Sequence, residues 1–255
     1  MLSGDPVLAL TEIQQCVELQ RSVNWHSEIV PAHVFRADSI GLVEPSIDLG
    51  YVLVAKLVQD CGRESVIGFA RVTSSMEPTR HWLHEIVVSN EYQSMGVGLA
   101  LMRAIRTRSL ESGAKELYFT CDPLVGSNCR LYLTKCGAVG VKVFDNLYGL
   151  GAGTDPYKSH RLLLCWNLLG DMLPRSAVVN PETIPVVDTV SFHDTWMRIM
   201  VSIPYRLEDL TPEEKASWQN RTFPILAVAV NKKAFRVTNL LTMPTECRNY
   251  LLLEK

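Results

Sequence analysis

Residues 81–112 read HWLHEIVVSNEYQSMGVGLALMRAIRTRSLES. Leu83 to Val88 is an apolar run of strand length, Ser89 to Met95 is a polar turn, and a helix opens at Gly96. The turn carries Gln93-Ser94-Met95-Gly96-Val97-Gly98. Glycines here leave no Cβ between the backbone and an approaching ligand. The free N–H groups of the first helical turn face outward with the positive end of the dipole, a seat for a phosphate. A strand, glycine turn and helix that together bind a phosphorylated cofactor are the expectation from which the rest is read.

Working outward, Asp5-Pro6 reads as a helix opening, with an N-cap acceptor and then proline at the first helical position. Leu10, Ile13, Val17 and Leu19 give that helix an apolar face. Pro31 opens a second helix, Ala32 to Ser39, closed near Gly41. Tyr51 to Val58 and Ser65 to Val72 are strand-like runs joined by Asp60-Cys61-Gly62, which suits a hairpin loop. Past the opening stretch come a strand at Leu117 to Thr120, a short helix from Ser127 to Lys135 stopping at Gly137, and strands at Val139 to Phe144 and Arg161 to Trp166 around a glycine-rich loop, Gly149 to Thr154. Strands paired first with each other and then alternating with helices imply a three-layer α/β arrangement around a mixed sheet. Pro174, Pro181 and Pro185 mark a connection after Gly170. Trp196 to Ile203 reads as a strand. Thr211-Pro212-Glu213-Glu214 starts a helix that Pro224 should interrupt or kink. Phe235 to Leu241 and Asn249 to Leu253 close the chain as a hairpin.

With 255 residues, 47% hydrophobic and 20% charged, the chain can bury a substantial core. A net charge of −2 argues against a general nucleic-acid or membrane-surface binder. The seven cysteines are odd in number and form no C-x-x-C pair, which fits free thiols in a reducing compartment and neither a disulfide framework nor a zinc site. The start, MLSGDPVLAL, lacks the charged region and apolar core of a signal peptide, and no window reaches the length of a membrane span. A soluble cytoplasmic protein without a metal is the expectation.

The succession of elements resembles the GNAT superfamily of acyl-CoA-dependent N-acyltransferases. Val88 to Gly98 (VSNEYQSMGVG) is similar to its motif A in spacing and residue class. Further features resemble one poorly characterised, mainly bacterial GNAT subgroup: Leu83-His84, Asp122-Pro123-Leu124 with Asn128, Leu133 to Ala138, Tyr148-Gly149, Arg161 to Trp166, and the Tyr250 to Glu254 ending. The resemblance implies a GNAT-like three-layer α/β/α fold with a mixed, mostly antiparallel central sheet, carried by an acyl-CoA-binding domain over residues 1–170. Residues 171–255 would be a C-terminal α+β extension that covers the sheet, completes a second small sheet or forms a homodimer contact. It also implies acyl-CoA, in the first instance acetyl-CoA, as co-substrate. Its pyrophosphate would lie on Gln93, Ser94, Met95, Gly96, Val97 and Gly98, and its pantetheine arm along Ile86, Val87 and Val88 and at Asn128.

Acyl transfer to an amine needs a base that leaves the amine neutral, and histidine is the usual side chain for it. Strand alternation sets Trp82, His84 and Ile86 on one face and Leu83, Glu85 and Val87 on the other. His84 stands where some GNAT enzymes place a catalytic histidine, and its two readings are that base or a core histidine satisfied by a backbone carbonyl. Glu85 is the weaker base candidate because it should point to the opposite face, and His81 is out of phase. Many GNAT enzymes carry, four residues before the glycine ending the short helix, a tyrosine that protonates the departing thiolate. Leu133 stands there instead, with Tyr132 about 100° away around the helix, so solvent or Tyr148 would have to substitute. Cys121 and Cys136 read as small core residues, Arg161 as a structural partner in preference to a carboxylate binder, and His193-Asp194 as a local pair with no serine motif. The expected reaction is direct transfer to a small-molecule amine. The alternatives are a CoA-binding module without turnover, and a GNAT-fold enzyme with another acyl donor or reaction.

Overall fold

Two apolar, β-branched-rich runs and the Asp60-Cys61-Gly62 turn between them build a hairpin. Strand β1 (Gly50–Val58) runs antiparallel to β2 (Glu64–Ser74), and Gly62 takes the left-handed conformation, φ 78°, that the loop requires. The computed structural model describes residues 8–23, 29–40, 50–149, 157–170 and 180–255. It falls into two compact units, Met1–Tyr118 with Asn167–Gly170, and Phe119–Trp166 with Asp171–Lys255. Among the described residues no helix is long and apolar enough to cross a membrane.

In the first unit β2 pairs antiparallel with β3 (Arg80–Val88). The next strand, β4 (Glu116–Cys121), pairs parallel with β3 over only Arg80, His81 and Trp82. Helices α1 (Leu10–Ser22) and α2 (Ala32–Ile40) cover one face, where Ile13, Cys16, Leu19, Phe35, Val54, Phe69 and Val87 form one apolar cluster. On the other face lies α3 (Val97–Glu111), to which the buried Tyr51 hydroxyl is tied through the Ile105 carbonyl (3.2 Å) and Ser109 Oγ (2.7 Å). Gly68 lets that helix sit close, since a Cβ there would meet Val97 at 3.3 Å and the Val87 carbonyl at 3.0 Å. The result is the expected mixed, mostly antiparallel sheet between helical layers. The expected helix opening at Asp5-Pro6 and the closure near Gly41 lie outside the described residues. Ala9 is extended (ψ 151°), and α1 begins at Leu10.

In the second unit the strand order is β4, β6 (Arg161–Asn167), β5 (Val139–Phe144), β8 (Arg236–Met243), β9 (Arg248–Glu254), β7 (Arg198–Pro204). The last two strands in sequence form the expected hairpin. Strand β5 touches β8 in a single pair, Gly140 with Val237. Where the two strands diverge, Asn231 takes over: its amide donates to the Val143 carbonyl (2.8 Å) and accepts from the Val143 N–H (3.0 Å). Asn231 belongs to α5 (Pro212–Lys232), whose start is held by a reciprocal cap between Thr211 and Glu214. The expected interruption at Pro224 does not occur. The helix runs on because Ile225, Leu226, Ala229 and Val230 are all buried, and their burial outweighs one missing N–H. The glycine-rich loop beyond Gly149 and the connection around Pro174 lie outside the described residues. Pro185 and Val187, expected in a connection, instead edge β7 through Met200: Val187 N–H donates to the Met200 carbonyl (2.8 Å), and Met200 N–H to that of Pro185 (2.9 Å).

Candidate functional site

The turn before α3 is built as a cradle. Ser94 (φ 63°) and Gly96 (φ 92°) are both left-handed, a backbone form that turns successive N–H groups to one side. Gly96 caps α3, and Ala100 N–H reaches its carbonyl at 2.9 Å. The N–H groups of Val97, Gly98 and Leu99 precede the first helical bond and are open to a ligand. No carboxylate occupies the first turn of α3, so its positive end is not neutralised. A Cβ on Gly96 would meet nothing within 4 Å, so what calls for glycine there is the left-handed φ and not crowding. The Gln93 side chain braces the turn, donating to the Val88 carbonyl (3.1 Å) and to Asn90 Oδ1 (2.9 Å). Met95 is exposed. These features fit a pyrophosphate group, and the Gln93 side chain is engaged within the turn itself.

The strand that delivers the cradle departs from the expected alternation. Arg71 pairs with Glu85 and Val72 with Leu83, so His84 has no partner of its own and sits in a β-bulge. Thr73 pairs with Trp82. Arg71 and Thr73 are two residues apart and share a face, so Glu85 and Trp82 share it as well. His84 reaches this same face, its Nε2 lying 2.9 Å from Thr73 Oγ1 and its ring edge-on to Trp82. Glu85 therefore lies on the side of His84, and the expected opposition is corrected by one inserted residue. Ile86 and Val88 are half-buried, and Val87 is buried under α1 and α2. His81 is buried, with Nδ1 3.0 Å from Ser109 of α3.

Charge on this face is organised by Arg71. Its Nε donates to Glu85 Oε1 (2.8 Å) and its Nη1 to Asp38 Oδ2 of α2 (3.0 Å). Glu85 is buried, and among the described residues its Oε2 has no hydrogen-bond partner. Burial raises the Glu85 carboxyl above its ordinary range, while Arg71 pulls it back. For His84, loss of solvation first and the Arg71 guanidinium second hold the imidazole down at about 4, with Asp38 opposing. The ring has exposed surface, yet enough protein surrounds it that the cation is disfavoured. His84 is thus neutral at pH 7, with a lone pair on one nitrogen.

The other expected site residues belong to the second unit. Asn128 is half-buried in α4 (Gly126–Cys129), which continues as a π-helical turn over Arg130–Lys135. Within that turn Leu133 is buried, and Tyr132 packs edge-on against Phe119 at 4.8 Å. Burial drives the Tyr132 phenol far above its ordinary value. Tyr148 is half exposed, its hydroxyl 3.0 Å from Thr120 Oγ1 and its ring under the Arg161 guanidinium at 5.2 Å. Arg161 also lies 4.0 Å from Asp122, whose Oδ2 accepts from Tyr157 at 2.6 Å. His160 stacks on Phe223 at 3.7 Å, and Asp194 pairs with Lys233 at 3.1 Å. Cys121 and Cys136 are buried. Reading the sequence alone missed Arg71, Asp38 and Thr73. The only signal for them was that β2 places Arg71 and Thr73 on one face.

Comparison with known proteins places this geometry. The model of the acetyltransferase (GNAT) family matches residues 20–138. No curated protein sequence matches the chain. A putative phosphinothricin N-acetyltransferase superposes with a TM-score of 0.51 at 16% identity, over 67% of this chain and 99% of that one. A GNAT-family acetyltransferase from Streptococcus pneumoniae gives 0.51 at 14% identity, over 66% and 98%. Ard1 from Thermoplasma volcanium gives 0.50 at 16%, over 67% and 98%. At these identities the structures speak for the fold, and the family match covers the cradle and the bulged strand. Residues 20–138 thus match the acetyltransferase (GNAT) family, within a fold that the solved acetyltransferase structures share.

Proposed function

We propose that the protein is an acyl-CoA-dependent N-acyltransferase, acting in the cytoplasm by direct transfer to a small-molecule amine, with acetyl-CoA as the donor. The cradle at Ser94 to Gly98 carries this reading: two left-handed residues, an open helix start and no carboxylate to repel a pyrophosphate. Its backbone would hold the phosphates. The pantetheine arm would be met by Ile86 to Val88, beyond the point where β3 stops pairing with β4 at Trp82. Bound there, acyl-CoA supplies an acyl group activated as a thioester. His84, neutral at the working pH, takes the proton of the incoming amine, directly or through a water. Glu85 is the second candidate for that proton, since the bulge puts it on the same face with one oxygen unpaired. The departing thiolate takes its proton from solvent. Residues 1–170 would carry the acyl-CoA site, and residues 171–255 would complete the unit that holds β5 and β6.

Calorimetry with acetyl-CoA tests this. Binding should be measurable and should vanish in Gly96→Trp, whose side chain would fill the cradle. Absence of binding to any CoA ester would remove the proposal. A second reading, a CoA-binding module without turnover, is favoured by one observation: Leu133 and Tyr132 are both buried, so the short helix offers no proton donor. Binding of acetyl-CoA with no transfer to any member of a broad amine panel would decide for that module.

A further inference from the structure

We infer that Thr73 is a positioning residue that holds His84 in its Nε2–H tautomer, leaving Nδ1 bare to accept the proton of the amine. The inference rests on the reading of His84 as base. A neutral imidazole has one N–H and one lone pair, so the tautomer decides whether the ring can take a proton or only donate one. Among the described residues the His84 ring has one hydrogen-bond partner, Thr73 Oγ1 at 2.9 Å from Nε2. Were the threonine hydroxyl to donate, the proton would sit on Nδ1 and the free nitrogen could not act as a base. With Nε2–H donating to Oγ1, the free nitrogen carries the lone pair.

Two features favour the second arrangement. The bulge at His84 is what brings the ring to the face of Thr73, two residues along β2 from Arg71. The charged groups facing the ring are Arg71 from β2 and Asp38 from α2, with Glu85 adjacent on β3 and bound to Arg71. Arg71 opposes a positive ring, so the imidazolium formed when Nδ1 takes a proton needs an acceptor at Nε2. Thr73 Oγ1 then serves as acceptor both before and after proton transfer, and no hydrogen bond has to reverse during the step.

The test is the ring-nitrogen NMR spectrum of histidine-labelled protein near pH 7.5. His84 is assigned among the six histidines by its disappearance in His84→Gln. The native protein should show a protonated Nε2 and a bare Nδ1, and Thr73→Ser should keep that pattern. Thr73→Val, similar in shape and suited to a strand, should lower the ratio of Nε2–H to Nδ1–H roughly three- to tenfold, the worth of one hydrogen bond. A native ring protonated at Nδ1 would overturn the inference, as would a Thr73→Val spectrum with an unchanged ratio. The spectrum reads the tautomer without substrate. Failure of the acyl-transfer reading in the amine panel would therefore be seen separately from failure of this one.

Discussion

His84 and Glu85 are neighbours whose environments push them in opposite directions. The imidazole is held at about 4 by lost solvation and then by Arg71, whereas burial lifts the Glu85 carboxyl. The sign for catalysis follows. Because the His84 pKa is lowered from 6.5, the neutral base persists as the pH falls through 6.5 and is lost only near 4. If His84 is the base, the acid limb of kcat/KM should lie near 4, with no break at 6.5, and His84→Ala should abolish that limb. A break well above 4 that survives in His84→Ala and disappears in Glu85→Gln would move the role to Glu85. Arg71 supports both residues. Replacing it by methionine strands the buried Glu85 carboxylate, and breaking a buried pair in this way costs about 3 kcal/mol or more. Urea unfolding of Arg71→Met should show that loss, while Asp38→Asn, which leaves the Arg71–Glu85 pair intact, should lose less.

At the level of elements, close strand approach is bought with a missing side chain at Gly140. A Cβ there would meet Val237 Cβ at 2.8 Å and Leu162 Cδ1 at 2.9 Å, in the one place where β5 and β8 pair. Gly140→Ala should cost roughly 1–3 kcal/mol by overpacking, read as a lower urea midpoint. Thr211→Ala, which removes the cap of α5, should cost about 1 kcal/mol. Elements whose signal is local were legible beforehand. The β1–β2 and β8–β9 hairpins, the start of α3 and the capped start of α5 all rest on residues adjacent in sequence. Those decided by packing were misjudged. Leu10 belongs by spacing to the apolar face of α1 yet is 67% exposed, whereas Cys16 on that helix is fully buried. Pro224 carries a strong local breaking signal that the buried residues after it override.

The same division holds for the whole molecule. The left-handed turn that opens α3 was legible because consecutive residues make it. The charge pattern around His84 was not, because Arg71, Thr73 and Asp38 come from other elements and the bulge that aligns them has no sequence signature. Partnership between distant segments also bears on where the chain can be cut. The second unit draws β5 and β6 from before residue 170 and β7, β8, β9 and α5 from after it. Ending the chain at Gly170 would take away Val237 from Gly140 and Asn231 from Val143. It would also take Phe223 from His160, and Gln219 from both the N–H and the carbonyl of Lys158. The backbone groups of Val143, now buried, and of Lys158 would lose the side chains that satisfy them. A protein ending at Gly170 is therefore expected to lose hydrogen-exchange protection over Val139–Phe144 and Arg161–Asn167, while Gly50–Val58 and Glu64–Ser74, paired within the first unit, keep theirs. Full protection of all four strands in the shortened chain would instead make residues 1–170 an autonomous domain and the last 85 residues an appendage to it.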